Sequence, residues 1–377
     1  LKRNKKCSFC YRMFFFLVLL IFIVLLIPIL FGRKPEQEWI GDRKTPLVLL
    51  YHGKPENAPY EWNTGVWPAW GEHQGDMYKR KISQRLKWQA EGAQILKTCD
   101  VHCHITHDQS LLHRADTVVM ELINHYQFYG KDTHLPIPWP NLRDDQSLGI
   151  FHYESKAEYA FATSNSEIMD HFDFSITPQK DADIPITIVC DWGYSLSNFL
   201  MKPKQKQQKL IADFRGIIPP TYSEYFKVLS TLLDIDFFDG PYKNSNAPEP
   251  YYLEGRISQM GEYKFIIIAE RIFEDNWICP EYSQTLLSGA VPIYIGAPNI
   301  NDYLPGENAI VDIRNFRTAK DLANHIEQIG SDPVEYENLY LQWKSEGIKK
   351  SFQRHLQNCA HLAECRICKK VLSMMNR

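Results

Sequence analysis

Carboxylates that follow an apolar strand are the first residues to consider, because ligands of open α/β sheets sit beyond the carboxyl ends of strands. Three such ends stand out. Tyr153-Glu154-Ser155 follows LGIFHY, Glu270-Arg271 follows YKFIIIA, and Gly296-Ala297-Pro298 follows VPIYI. A carboxylate in a partly dry strand mouth is tunable as a general base, and Glu154 is the candidate. The same position also suits a glutamate that only caps or solvates the strand end. Gly296 would let a ligand approach the backbone closely. Two Asp-x-Asp triplets, Asp181-Ala182-Asp183 and Asp234-Ile235-Asp236, have the spacing that can hold a divalent ion on a diphosphate, but the triplet is also common by chance. There is no phosphate-loop signature, no G-x-S-x-G elbow and no H-E-x-x-H, so kinase and hydrolase readings gain little.

The nine cysteines raise a second kind of chemistry. Cys99 and Cys103 are spaced C-x3-C, beside His102, His104 and His107; Cys365 and Cys368 are spaced C-x-x-C. Zinc is one reading of such pairs, and disulfides are the stronger one for a chain in an oxidising compartment. Cys190, Cys279 and Cys359 have no assigned role, and Cys7 and Cys10 near the N-terminus are either palmitoylation sites or plain thiols.

The elements that must position these residues alternate. Short apolar runs at 47–51, 115–120, 148–153 and 184–189 read as strands, with a helical stretch at 84–98. A Lys/Gln-rich run, MKPKQKQQK (201–209), is the expected domain boundary. The pattern then restarts with strands at 209–214, 234–238, 263–269 and 291–295. Helices are expected over 223–233, 281–288 (ending at Gly289), 318–329 and 333–347. Two α/β domains facing each other follow.

Charge places them. The net charge of −3 over 377 residues gives no global basic field, so nucleic-acid binding is not expected. Lys2, Arg3, Lys5, Lys6 and Arg12 lie in the first 12 residues with no acid; removing those five charges leaves −8 for the remainder. Met13 to Phe31 follows, 19 residues without a charged or hydrogen-bonding side chain. As a helix it would span roughly 28 Å, about the hydrocarbon thickness of a bilayer. The charge bias puts the N-terminus in the cytosol and the body in the lumen, a type II single-pass topology. The expected organisation is a cytosolic tail (1–12), a signal-anchor (13–31), a stem (32–45), an N-terminal domain (46–200), a C-terminal domain (210–350) and a tail (351–377). No Asn-x-Ser/Thr sequon occurs, so N-glycosylation of the chain itself is not expected.

The run from Tyr263 to Asp312, YKFIIIAERIFEDNWICPEYSQTLLSGAVPIYIGAPNINDYLPGENAIVD, resembles the signature region of the α1,3-fucosyltransferases, glycosyltransferase family ten. Gly296 to Ile300, and the stretch from Trp343-Lys344 through Cys365-Arg366-Ile367-Cys368, are most similar to the core α1,3-fucosyltransferases of plants and invertebrates. Upstream, Cys103 to Thr106, Asp108, Ser110, Ala115-Asp116, Glu154-Ser155 and Phe172 to Pro185 resemble the family's acceptor domain in the family's order.

The resemblance implies two Rossmann-like domains of GT-B type behind the transmembrane helix, the first binding acceptor and the second GDP-fucose. It implies inverting transfer of fucose to a GlcNAc hydroxyl of a glycoprotein N-glycan, in the Golgi membrane, with Glu154 as general base. No metal is required in the family, with stimulation by a divalent cation left open. The disulfides it implies are Cys99–Cys365 and Cys103–Cys368. Two alternatives stay beside it: a silent relative that binds glycans or partner proteins, and a transferase that fucosylates protein side chains.

Donor contacts carry over to Arg215, Glu270, Arg271, Glu281 and Gly296, with departures. Where the family has Glu-Asn, this chain has Glu270-Arg271, and where it has Glu-Lys about ten residues later, this chain has Pro280-Glu281. A one-residue shift recovers the glutamate as Glu281 but sets Tyr282 in place of the lysine. Tyr222 replaces a family arginine, and Arg215-Gly216 replaces Ser-Asn. Two outcomes stay open: Arg215 and Arg271 substitute for the missing cations, since an arginine fork suits phosphate oxygens, or donor binding is lost.

Overall fold

The computed structural model describes residues 45–51, 101, 103–106, 109–121, 137, 139–152, 155–157, 164–187, 196–201, 209–246, 253–358 and 363–376. Residues 1–45 separate as one unit, and the architecture below belongs to the second, Pro46–Arg377. The expected helix at 84–98, the membrane span at 13–31, and residues Cys99, Glu154, Cys190 and Cys359 lie outside the described residues. Among the described residues no helix is long and apolar enough to cross a membrane.

Two parallel sheets organise the chain. The first contains β1 (Leu47–Tyr51), β2 (His104–Thr106), β3 (Thr117–Glu121), β4 (Ser147–Phe151), β5 (Phe174–Thr177) and β6 (Ile184–Pro185), in the order β2-β1-β3-β4-β5-β6. The second contains β7 (Lys209–Asp213), β8 (Ile235–Phe237), β9 (Tyr263–Ala269), β10 (Val291–Ile295) and β11 (Val311–Asp312), in the order β11-β10-β9-β7-β8. Every pairing is parallel, so within each sheet all carboxyl ends lie on one edge. The α/β expectation holds.

Strands buried on both faces read as unbroken apolar runs, and β9 shows why. Phe265, Ile267 and Ala269 pack into one core layer, while Ile266 and Ile268 pack into the layer on the other side. The helix Pro280–Ser288 starts at a proline and stops where Gly289 takes φ 85°, a left-handed turn that glycine adopts without strain. The helix Ala319–Ser331 opens with a capping box between Thr318 and Asp321.

Two expected elements come out shorter. Of the strand foreseen over 184–189, the regular part among the described residues is Ile184–Pro185; the Ile186 N–H still donates to the Thr177 carbonyl at 2.9 Å, Thr187 makes an isolated bridge, and 188–189 lie outside the described residues. The helix foreseen over 333–347 is divided into Pro333–Tyr336, a wider π-type turn at Glu337–Leu341, and Trp343–Glu346. Around that turn, Tyr336 and Tyr340 both set their rings edge-on to Phe265, at 5.3 and 6.0 Å between centroids.

The chain finishes on the first sheet. Ala363, Ile367 and Val371, spaced by four on the helix Ala363–Met375, bury one face among Val48, Val119, Phe151 and Ile176. Cys103 and Cys368 form a disulfide across a separation of 265 residues. Cys365 is disulfide-bonded as well, while Cys99 lies outside the described residues. Lys370 adds an ion pair to Asp183 at 2.6 Å.

Candidate functional site

The carboxyl edge of the second sheet is built around Asp213, the last residue of β7. Its Oδ1 accepts from the N–H groups of Arg215 and Gly216, both at 2.9 Å, which folds the chain into a tight turn. Gly216 has φ 60°, and a Cβ there would lie 2.2 Å from the Asp239 carbonyl carbon, so only glycine fits. The turn sends Arg215 across the end of β9. Its Nη1 donates to the Ala269 carbonyl at 3.1 Å and to Glu270 Oε2 at 3.0 Å, and its Nε lies 3.6 Å from Glu281 Oε2.

Glu270 and Glu281 each use their second oxygen. Glu270 Oε1 accepts from the Cys279 N–H at 2.8 Å, which caps the helix Pro280–Ser288 with a carboxylate at its positive end. Glu281, in the first turn of that helix, accepts from Arg256 Nη1 at 3.1 Å. Two guanidinium groups and two carboxylates thus cancel within one cluster. Glu270 is fully buried, and the side chains of Arg215, Arg256 and Glu281 are about 15% exposed. Charges this far from water need such pairing.

Protonation follows. Burial alone would raise the Glu281 carboxyl, but Arg215 and Arg256 hold it below the ordinary range. Burial disfavours the Arg215 cation, and the Glu270 and Glu281 carboxylates beside it more than offset this, fixing it as protonated. The Cys279 thiol is pushed up, chiefly by burial. Asp213 is pushed up to about 6, again by burial, with the two backbone N–H groups acting in the other direction.

Four of the five expected donor residues are therefore neighbours. Arg215, Glu270 and Glu281 form the cluster, and Gly296 packs onto it: a Cβ there would sit 2.3 Å from Glu270 Cγ and 2.6 Å from the Tyr294 hydroxyl. The close approach inferred for a ligand is made by Glu270 itself. Arg271 is exposed and carried by the segment leaving β9. The free positive charge expected of Arg215 is instead spent on two carboxylates, and Glu281 is neutralised. Sequence reading missed Arg256 and Asp213. A strand-terminal aspartate followed by x-x-Gly was the available signal for Asp213; nothing local marked Arg256.

Beside this cluster, Tyr222 lies 5.9 Å ring to ring from both Tyr225 and the partly exposed Phe273. Arg314, paired with Asp312 at 2.6 Å, donates to the Pro298 carbonyl at 3.2 Å and so holds the turn after β10.

At the carboxyl edge of the first sheet, Glu154 lies outside the described residues, and the turn that follows it is described. Ser155 is fully buried. Its Oγ donates to Glu274 Oε2 at 2.7 Å, and the Ala157 N–H donates to the same oxygen at 2.8 Å. Glu274 Oε1 accepts from the Lys156 N–H at 3.0 Å and from Gln179 Nε2 at 2.7 Å.

One aspartate of each Asp-x-Asp triplet is engaged within its own sheet region. Asp183 accepts from the Ser175 N–H at 3.0 Å besides pairing with Lys370. Asp236 accepts from Lys209 Nζ at 2.9 Å and from the Tyr263 hydroxyl at 2.5 Å. The Cys103–Cys368 bond answers the choice between zinc and disulfide at those two thiols.

Residues 207–377 match the family model described as glycosyltransferase family 10 (fucosyltransferase) C-term. GDP-fucose protein O-fucosyltransferase 3 of Homo sapiens is 24% identical over 301 residues, which cover 71% of this chain and 61% of that protein. Alpha-(1,3)-fucosyltransferase B of Drosophila melanogaster is 25% identical over 287 residues, covering 70% and 61%. The chain thus spans less than two thirds of the length of these relatives. A crystal structure of an alpha1,3-fucosyltransferase with GDP superposes with a TM-score of 0.49 at 11% identity, over 89% of this chain and 93% of that one.

Proposed function

We propose that the chain, whose residues 207–377 match the glycosyltransferase family 10 (fucosyltransferase) C-terminal model, transfers fucose from GDP-fucose to a hydroxyl group with inversion. The observation that carries this is the coincidence of that match with a structured strand edge: the matched region contains β7, β9 and β10 and the cluster at their carboxyl ends. Ligands of parallel α/β sheets bind at such edges.

In this reading Glu154 takes the proton from the acceptor hydroxyl as its oxygen attacks the anomeric carbon. The bond from that carbon to GDP breaks on the opposite face, and the electron pair leaves with GDP. The buried Arg215–Glu270–Glu281–Arg256 cluster holds the strand mouth rigid, and Arg271, on the exposed segment beside it, supplies charge to the diphosphate. The reaction requires no metal, which a chelator tests directly: activity that disappears in EDTA and returns with a divalent cation would reject this part.

The acceptor in the leading reading is a GlcNAc hydroxyl of a glycoprotein N-glycan, fucosylated in α1,3 linkage. The second reading, a protein side-chain hydroxyl, is favoured by the relatives named protein O-fucosyltransferase. Incubating the 377-residue chain with GDP-fucose and either a GlcNAc-terminated N-glycan or folded glycan-free acceptor domains separates them by the product formed. No transfer to either, together with no GDP binding, would overturn both and leave a silent relative. Glu154→Gln is expected to lower kcat by about 10²-fold or more with GDP affinity unchanged. Arg271→Ala is expected to weaken GDP binding.

The apolar span 13–31 and the basic head support placement in the Golgi membrane with the body lumenal, and the Cys103–Cys368 disulfide fits an oxidising compartment. Protease protection of the body in intact microsomes tests it; digestion without detergent would contradict it.

A further inference from the structure

Glu274 is supplied by the second half of the chain, four residues beyond Glu270, yet the four hydrogen bonds that its carboxylate makes among the described residues all go to the first half. Each carboxylate oxygen accepts two: Ser155 Oγ at 2.7 Å and Ala157 N–H at 2.8 Å on one, Lys156 N–H at 3.0 Å and Gln179 Nε2 at 2.7 Å on the other. That fills the acceptor capacity of an ionised carboxylate. Three of the donors belong to consecutive residues of one turn, Ser155, Lys156 and Ala157, which begins directly after position 154. Gln179 lies just past the end of β5, the strand beside β4. One side chain therefore fixes the turn after β4 and the segment after β5 against the segment that follows β9.

We infer that Glu274 is a positioning residue: it sets the turn of Ser155, Lys156 and Ala157, the three residues that follow position 154 in the chain, in register with the donor-side strand edge. The inference rests on the fucosyl transfer proposed above for its catalytic consequence, but the geometric part stands on the four contacts alone. Charge-assisted hydrogen bonds to backbone N–H groups are the strong kind, and backbone donors cannot swing away as side chains do. Adjacent residues are about 3.8 Å apart along the chain, so displacement of Ser155 is passed on to position 154. A misplacement of about 1 Å at a reacting group can cost on the order of 10²-fold in rate. Glu274 itself meets neither reactant in this account; it acts through the turn.

The test uses the whole chain. Glu274→Ala is expected to lower kcat at least tenfold while the acceptor KM and the GDP Kd change less than threefold. Amide hydrogen exchange at Lys156 and Ala157 should accelerate at least tenfold in the same variant. Glu274→Gln keeps one accepting oxygen but turns an NH2 toward donors, so its kcat should fall between wild type and alanine. Glu274→Gln also covers the case in which Glu274→Ala fails to fold: a folded Glu274→Gln variant with wild-type kcat and wild-type exchange at Lys156 and Ala157 overturns the positioning role. A Glu274→Ala variant with kcat within twofold of wild type overturns the positioning role. Unchanged exchange at Lys156 and Ala157 overturns the clasp itself. A wild-type chain without transferase activity would remove the proposed reaction, and the exchange experiment would still decide whether Glu274 sets the turn.

Discussion

At the carboxyl edge of the second sheet, Arg215, Arg256, Glu270 and Glu281 bury two positive and two negative charges contributed entirely by that half of the chain. At the corresponding edge of the first sheet, the turn after β4 takes its carboxylate from the other half, through Glu274. The first arrangement is self-sufficient and far from water. The second is half-buried and exists only while both halves are in place. The difference separates stability from alignment: breaking the internal cluster should destabilise the fold, whereas breaking the borrowed contact should leave it folded and misaligned.

The largest effect is expected from Glu270→Ala. It leaves the buried Arg215 guanidinium with only the longer contact to Glu281 as an ion pair, removes the carboxylate that caps the helix Pro280–Ser288, and should cost about 3–5 kcal/mol in urea unfolding. A loss below about 1 kcal/mol would show that water reaches the cluster, and the contrast between the two edges would fail.

Next comes the Cys103–Cys368 disulfide, which ties the final helix to the first sheet. Cys103→Ser should cost about 2–5 kcal/mol by releasing a long loop in the unfolded chain. Reductant should lower the wild-type unfolding midpoint and change that of the variant less.

Asp213 gives an intermediate effect with a defined sign. Its folded pKa of about 6 lies above the ordinary carboxylate value, so between roughly pH 4 and 6 the native state binds more protons than the unfolded state. Stability should therefore fall as pH rises through that window, by about 2–3 kcal/mol. Asp213→Asn should flatten this part of the pH–stability curve. A wild-type curve that rises from pH 4 to 6, with the variant unchanged, would contradict it.

The smallest effect is expected where the two halves meet in solvent. Lys180 and Asp302 pair at 2.9 Å with side chains 65% and 48% exposed. Asp302→Ala should change stability by less than about 1 kcal/mol, and that little should vanish in salt. A loss comparable to that of Glu270→Ala would mean that contacts between the halves carry stability as well as alignment.

Much of this was legible in the residues, for reasons that differ by element. β1, β9 and β10 were placed to the residue because strands buried on both faces are unbroken apolar runs between turn residues. β2, only three residues long, carries too little pattern for periodicity to act on, whereas the run that holds β6 was read as a strand with its end set too late. The second-half cluster was legible as a list of residues but not as a circuit. Position at strand ends marked Glu270 and Gly296, and the family resemblance marked Arg215 and Glu281, while the neutralisation of the cluster needs Arg256, brought in by a helix with no local signal. Lys344 shows the same limit: its ammonium donates to the Phe199, Met201 and Leu286 carbonyls, and that burial brings its pKa down to about 8. Glu274 was invisible as a contact because its partners stand 95 to 119 positions away along the chain.

The most direct test of the central claim, a donor site at the second sheet's edge and a separate base on the first, is calorimetric titration of the 377-residue chain with GDP, for wild type and Glu154→Gln alike. The account predicts saturable binding with the same affinity in both proteins, alongside fucose transfer by the wild type only. A folded wild-type chain that shows no saturable GDP binding would contradict it.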